Sequence, residues 1–205
     1  MEDADAWQRF PNHRKWFNKL YVNSLVGNRC GPAGIAPEQS GDYIVRPIYN
    51  LSGMSAGAEK KFIKAGDVSQ VQPGYFWCEW FEGTHYSATY TWIDLVGWQL
   101  KNCWQAEKDC LKFTRWIRSG YAPGILRALD ELADLPLINV EFINNRIIEL
   151  HLRDTPDPDC NEIVPVWQND PVNNDEYFNA GYQYIESYDD ADGFIDNPRL
   201  GFFVR

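Results

Sequence analysis

Residues 137–153 read LINVEFINNRIIELHLR, two alternating segments joined by Asn144-Asn145. That pair tolerates the positive φ of a tight turn, so the stretch predicts a β-hairpin. A period of two then places Val140, Phe142, Ile148, Leu150 and Leu152 on one face. Glu141, Ile147, Glu149, His151 and Arg153 take the other. One side of the hairpin is apolar, and the other carries two carboxylates, an imidazole and a guanidinium. Such a face suits one or two hard cations bridging phosphate oxygens. It equally suits the solvated side of a half-buried sheet, and alternation alone does not choose between them.

Working outward, composition narrows the chemistry. The chain has 205 residues, 44% hydrophobic and 23% charged, which is ordinary globular usage and enough for one sizeable core or two small lobes. Its formal net charge is −10. A surface this acidic repels phosphate backbones and anionic lipid heads, which excludes a nucleic-acid scaffold or a membrane-surface protein as the expected class. A single nucleotide stays compatible, because a few placed cations with a divalent ion hold one triphosphate. The first sixteen residues, MEDADAWQRFPNHRKW, contain no apolar signal region, and no apolar run is long enough to span a bilayer. Five cysteines without CxxC spacing indicate neither a disulfide framework nor a zinc site. A cytoplasmic location follows as the expectation. The three histidines, His13, His85 and His151, stand far apart with no HExxH pattern, and no nucleophile elbow is present.

The rest of the chain predicts an α+β domain. Residues 13–26 place Trp16, Leu20, Leu25 and Val26 near one helical face, followed by a Gly/Pro-rich loop over 31–41. DYIVRP (42–47) reads as a strand, and a small-residue loop, LSGMSAGA (51–58), follows it. Further strands are expected near 60–64, 75–81 and 86–101. An amphipathic helix is expected over 122–134, with Pro123 in its first turn. The carboxy-terminal part is acidic and turn-rich, ending in the strand-like LGFFVR.

Taken in order, these segments resemble the ATP-grasp superfamily, in particular the branch of carbamoyl phosphate synthetases and biotin carboxylases. The hairpin looks like that family's terminal strand pair, in which an acidic or amide residue and an E-x-N-x-R motif bind two Mg²⁺ ions and the triphosphate. The resemblance makes Glu141 and Glu149 metal ligands, puts His151 in the place of the Asn and matches Arg153 to the Arg. Imidazole binds Mg²⁺ less well than an amide oxygen and better suits Mn²⁺. Lys19 stands where the opening helix carries a Lys. Arg46 stands where a strand presents a Lys to the phosphates, keeping the charge as a planar fork. Ser52, Gly53, Ser55 and Gly57 look like the glycine-rich loop that folds over the phosphates. FWCEWFEGTHYS resembles the hinge holding adenine and ribose, with Glu79, Trp80 and Phe81 at the base and His85 or Glu82 at the ribose.

The resemblance implies one ATP-grasp-like domain with two antiparallel sheets and a nucleotide cleft between lobes. Residues 42–85 would form the smaller covering lobe, 86–167 the metal- and phosphate-binding lobe, and 168–205 an acidic extension. It implies ATP and Mg²⁺ as cofactors, Arg46 and Arg153 as the catalytic cations, and a small-molecule or peptide carboxylate as the substrate activated. Family enzymes usually carry an amino-terminal domain, and about a dozen residues precede the first helix here. The acceptor site is therefore expected from the extension or from a partner subunit, including a second copy of the chain. Two other function classes stay open. One is a non-catalytic ATP-grasp-like binding or assembly protein. The other is an aromatic-lined sugar or nucleobase binder, for which the nine Trp are suited.

Overall fold

A computed structural model describes residues 2–51, 56–109, 112–121, 123–154, 158–170, 172–189 and 198–205. The chain opens with helix α1 (Asp3–Arg9), a 3₁₀ helix (Pro11–Phe17) and α2 (Lys19–Leu25). The single helix expected over 13–26 is thus broken. Asn18 is the reason: its backbone is extended, and its side chain accepts the Tyr21 amide at 2.8 Å, which starts α2 afresh as an N-cap.

Four strands, β1 (Cys30–Pro32), β2 (Gly41–Pro47), β3 (Glu59–Ile63) and β4 (Tyr75–Glu79), form an antiparallel sheet in the order β1-β4-β2-β3. The start of the expected 31–41 loop is strand β1. There Gly31 lies against the Trp77 indole, where a Cβ would stand 2.9 Å from the ring, so only glycine fits. Alternation along β2 sends Tyr43 and Val45 into a small core with Ile63, Val71 and Trp77. Ile44 and Arg46 face the opposite way.

The second sheet contains, among the described residues, eight antiparallel strands ordered β11-β12-β10-β7-β6-β5-β8-β9. They are β5 (His85–Ile93), β6 (Gly97–Asp109), β7 (Lys112–Arg118), β8 (Leu137–Ile143), β9 (Arg146–His151), β10 (Glu162–Trp167), β11 (Gln183–Asp189) and β12 (Arg199–Val204). Short helix α3 (Asn174–Asn179) precedes β11. The last two strands come from the stretch read as an acidic extension and continue this sheet. The strand expected over 86–101 is a hairpin, turning at Leu95 with φ 68°. Gly97 at φ 92° closes the Asp-Leu-Val turn, but the positive φ within it falls on a leucine, which carries no turn signal in sequence.

The helix expected over 122–134 is a short 3₁₀ helix, Arg127–Leu132. The Tyr90 hydroxyl donates to the Pro123 carbonyl at 2.6 Å, and the Trp98 indole donates to the Leu129 carbonyl at 3.1 Å. Tertiary donors thus claim oxygens that a longer helix would have used. Leu129 and Leu132 still reach the core, because an i, i+3 spacing suits the tighter helix. The main core joins Ala6, Trp16, Phe17 and Val22 of the helices to Val140, Phe142, Leu150 and Leu152 of the β8–β9 region. No helix of the described residues is long and apolar enough to cross a membrane.

Candidate functional site

The β8–β9 hairpin forms as the alternation requires, with Asn144 at φ 51° in its turn. Its register carries one irregularity. Glu141 pairs with Glu149 and Phe142 with Ile147, so Ile148 is an extra residue, a β-bulge. The bulge exchanges two side chains relative to simple alternation: Ile147 enters the core, and Ile148 faces the cleft. Glu141, Glu149 and His151 remain together on the open face.

Carbonyls freed by the bulge are claimed by polar side chains. The Asn28 amide donates to the Ile147 oxygen at 2.8 Å. The Ile148 oxygen accepts from Asn23 at 3.1 Å and from Arg46 Nη2 at 2.6 Å. Asn23 also donates to the Lys19 carbonyl at 2.7 Å and accepts from Asn28 at 2.9 Å. These buried amides went unread in the sequence, since nothing marks an Asn as a bulge clamp before the bulge is known.

Between the two sheets lies a cavity of about 330 Å³, a volume suited to a small-molecule ligand. The small sheet contributes Ile44, Arg46 and Cys78, and α2 contributes Lys19 and Asn23. The large sheet contributes His85, Lys108, Glu141, Ile148 and Glu149. Glu79, Trp80, Phe81 and Glu82 of the expected hinge also line it. Asn144 pins that hinge, donating to the Glu82 carbonyl at 3.1 Å and accepting the Thr84 amide at 3.0 Å. Ala56 and Ala58 line the cavity on either side of Gly57, whose φ of 74° requires glycine. Ser52, Gly53 and Ser55, read as the rest of the phosphate loop, lie outside the described residues. Lys108 lines the cavity and was not singled out from the sequence.

Charges inside the cavity are arranged in opposed pairs. Lys19 Nζ and Arg46 Nη1 both engage Glu149, the latter at 3.0 Å. His85 Nε2 donates to Glu141 at 3.1 Å, and burial pushes its ring toward the neutral form against the pull of that carboxylate. His151 Nε2 stands 3.6 Å from Glu141 and 3.7 Å from Glu149. The two imidazoles, remote in sequence, therefore meet at one carboxylate. Burial opposes the charge on His151, but Asp3, Glu141 and Glu149 overcome it and lift the ring to about 10. Burial likewise opposes ionisation of the two glutamates. His85 and His151 hold Glu141 well below the ordinary carboxylate range, and Lys19, His151 and Arg46 lower Glu149.

Two expectations change on this geometry, those for His85 and Arg153. His85 stands on Glu141 rather than at a ribose-like position beyond the hinge. Glu79, at the hinge, is held by the Arg29 and Arg146 guanidinium groups at 2.8 and 3.1 Å. Arg153 does not join the cavity: its Nε donates to Asp3 at 2.7 Å. Strand β9 ends at His151, so the alternation that would have carried Arg153 onto the site face stops two residues short. Lys19 is the cation that accompanies Arg46 instead. Asp3, from the first turn of α1, was also missed, because no local pattern links it to a strand residue 148 positions away.

Glu141, Glu149 and His151 each offer a ligand atom, all within 4.8 Å of one another. Two carboxylates and one imidazole nitrogen converging this closely fit a divalent cation. Arg46 Nε and His85 Nδ1 are buried without a hydrogen-bond partner among the described residues.

No family model matches the sequence, and no curated protein sequence matches it. Solved structures do. The chain is similar to N5-carboxyaminoimidazole ribonucleotide synthetase from Thermus thermophilus, with a TM-score of 0.58 at 9% identity, covering 98% of this chain and 73% of that one. It is similar to N5-carboxyaminoimidazole synthetase from Staphylococcus aureus, solved in complex with ADP, with a TM-score of 0.56 at 12% identity over 94% of this chain and 68% of that one. A protein from Archaeoglobus fulgidus described as of the ATP-grasp superfamily gives 0.43 at 10% identity, and the chain spans 47% of its length. At these identities the likeness is one of fold. The ATP-grasp-like α+β core read from the hairpin and its flanking segments is the fold the chain has.

Proposed function

We propose that the chain is an ATP-dependent ligase core that activates a carboxylate as an acyl phosphate for attack by an amine or another nucleophile. The observation that carries this reading is the pairing of cations and carboxylates across the cleft. Arg46 of the small sheet and Lys19 of α2 meet Glu149 of the large sheet, in a cavity open to a small ligand. Each of these groups is matched to what a triphosphate needs.

Arg46 offers a planar fork for phosphate oxygens, and Lys19 offers a point charge beside it. Trp80 and Phe81 supply apolar surface for a base at the hinge end. Glu141, Glu149 and His151 would hold the divalent cation, Mg²⁺ or Mn²⁺. Such an ion, when bound, neutralises the β and γ oxygens. The acceptor's carboxylate oxygen attacks the γ-phosphorus, ADP leaves, and the nucleophile then displaces phosphate from the acyl carbon. The chain's part in this is positioning and charge neutralisation, which is why no nucleophilic triad is needed. The acceptor, a small-molecule or peptide carboxylate, would meet the chain from the β10–β12 side or from a partner subunit.

The test is thermal melting of the full chain with nucleotide and metal, followed by ADP release with candidate carboxylate and amine pairs. Saturating Mg·ATP should raise the melting temperature by roughly 5–10 °C, from about 2.7 kcal/mol of linkage at a hundredfold excess over Kd. Neither metal nor nucleotide alone should match it. ADP release dependent on an acceptor then supports the ligase. Stabilisation without turnover across all acceptors would favour a binding or assembly role, and stabilisation by sugars alone would discard the nucleotide reading.

A further inference from the structure

We infer that Asp3 is a positioning residue that aims His151 as a nitrogen donor into the space between Glu141 and Glu149, so that the site prefers a first-row transition-metal ion to Mg²⁺. The inference rests on the proposed cation site and deepens it. Asp3 sits in the first turn of α1 with its side chain only 4% exposed. Its Oδ2 is 2.7 Å from His151 Nδ1. A bond at Nδ1 fixes both the ring plane and the direction of Nε2.

Charge balance alone does not explain the arrangement. Asp3 is already matched by Arg153, whose Nε donates to Oδ1 at 2.7 Å, so the imidazole is not required for its neutralisation. The far side of the ring is equally informative. Nε2 stands 3.6 and 3.7 Å from one oxygen each of Glu141 and Glu149. Those separations exceed a hydrogen bond, yet they match donors sharing an ion. Two ligands about 2.2 Å from a cation and roughly 110–115° apart stand roughly 3.6–3.7 Å from each other. An ion binding at Nε2 displaces the proton there, while the carboxylate on Nδ1 fixes the tautomer and strengthens the ligand.

The remaining ligands are also held, and the Glu149 oxygen that faces His151 is the one Lys19 engages, so an ion entering there displaces that ammonium into the cavity. His85 donates to the second Glu141 oxygen at 3.1 Å, leaving the first turned toward His151. The outcome is a mixed donor set. Oxygen donors alone suit Mg²⁺, whereas an imidazole nitrogen favours transition ions.

The test uses Mn²⁺ as the probe on the full chain, without nucleotide. Free Mn²⁺ is measured by electron paramagnetic resonance, with Mg²⁺ competition, and pulsed spectra report ¹⁴N coupling. The wild-type chain should bind Mn²⁺ at least tenfold more tightly than Mg²⁺, with clear ¹⁴N modulation. D3A should weaken Mn²⁺ binding about 10–100-fold. D3E should recover part of the loss. H151N should abolish the ¹⁴N modulation and level the two metals. A merely structural role for Asp3 would not move the metal ratio or the nitrogen coupling. Should D3A not fold, D3N and H151N carry the comparison. Wild-type Mn²⁺ binding without nitrogen coupling overturns the inference, as does a folded Asp3 variant with unchanged affinity and spectrum. Mn²⁺ binding with ¹⁴N coupling but no ATP response in thermal melting would instead reject the ligase reading and leave the Asp3 assignment standing.

Discussion

Glu149 is the residue on which the site turns, because three cations address one carboxylate. Lys19 and Arg46 engage it directly, and His151 stands 3.7 Å away. Deleting the side chain would leave buried cations without a counter-charge, which commonly costs about 3–5 kcal/mol. Loss of activity in Glu149→Ala would therefore not separate chemistry from folding. Glu149→Gln keeps the shape and one acceptor oxygen for Lys19 or Arg46, while removing the charge and the second acceptor, so its folding is checked alongside its turnover. We expect E149Q to lose ATP turnover by at least a hundredfold while its circular dichroism stays that of the wild type. An ADP-release rate within a few-fold of wild type would remove Glu149 from the site. Residue types in the hairpin, two Glu and a His, were legible in sequence because alternation fixes which side chains share a face. Their partners were not, since Asp3, Lys19 and His85 reach them only through contacts between distant segments.

At the scale of elements, the bulge at Ile148 governs the cleft. It turns Ile148 toward the cavity, returns Ile147 to the core, and presents carbonyls that Asn23, Asn28 and Arg46 capture. Asn23 is fully buried, and its amide joins α2 to β9. N23A would leave the Asn28 amide and a strand carbonyl short of a partner, at about 2 kcal/mol in urea unfolding. It should also weaken nucleotide binding, because Lys19 sits one helical turn away on the same element. An N23A chain with wild-type urea midpoint would show that the clamp carries no weight. Strands β2 to β5, the β8–β9 hairpin and β12 were readable in sequence, whereas β1, β7, β10, β11, the broken first helix and the 3₁₀ turn at 127–132 were not. In the broken helix and the 3₁₀ turn, a side chain or a tertiary donor took over backbone groups that periodicity assigns to a helix.

For the whole molecule, the buried charges set a window of pH stability. Burial raises Asp3, but His151 and Arg153 outweigh it and hold the carboxyl at about 2, against an ordinary value of 3.8. A depressed folded-state value contributes stability that is complete above about pH 4 and is lost as pH falls through about 2. His151 has the opposite sign. Lifted to about 10, it contributes fully below pH 6.5 and loses that contribution as pH rises through 10. The two shifts describe largely one interaction, worth about 2 kcal/mol. Urea midpoints should therefore form a plateau from about pH 4.5 to 6.5 and fall on both sides. In D3N the gap from wild type should be open near pH 6 and closed near pH 2. An equal gap at both values would mean that the Asp3 charge contributes nothing to folding.

Length, acidity and the alternation of residues 137–153 by themselves determined an α+β chain with a carboxylate-bearing hairpin face, and the order of the flanking segments pointed to the ATP-grasp-like core. Those features need no folded contacts: strand period and turn chemistry depend on neighbours in sequence, and net charge on composition alone. Only the tertiary structure decided that Arg46 and Lys19 meet Glu149, that Arg153 turns to Asp3, and that two separated histidines converge on Glu141. Such contacts join residues as far apart as Asp3 and His151, 148 positions along the chain. The burial and low local polarity that give them their strength exist only once both sheets and the opening helices have packed.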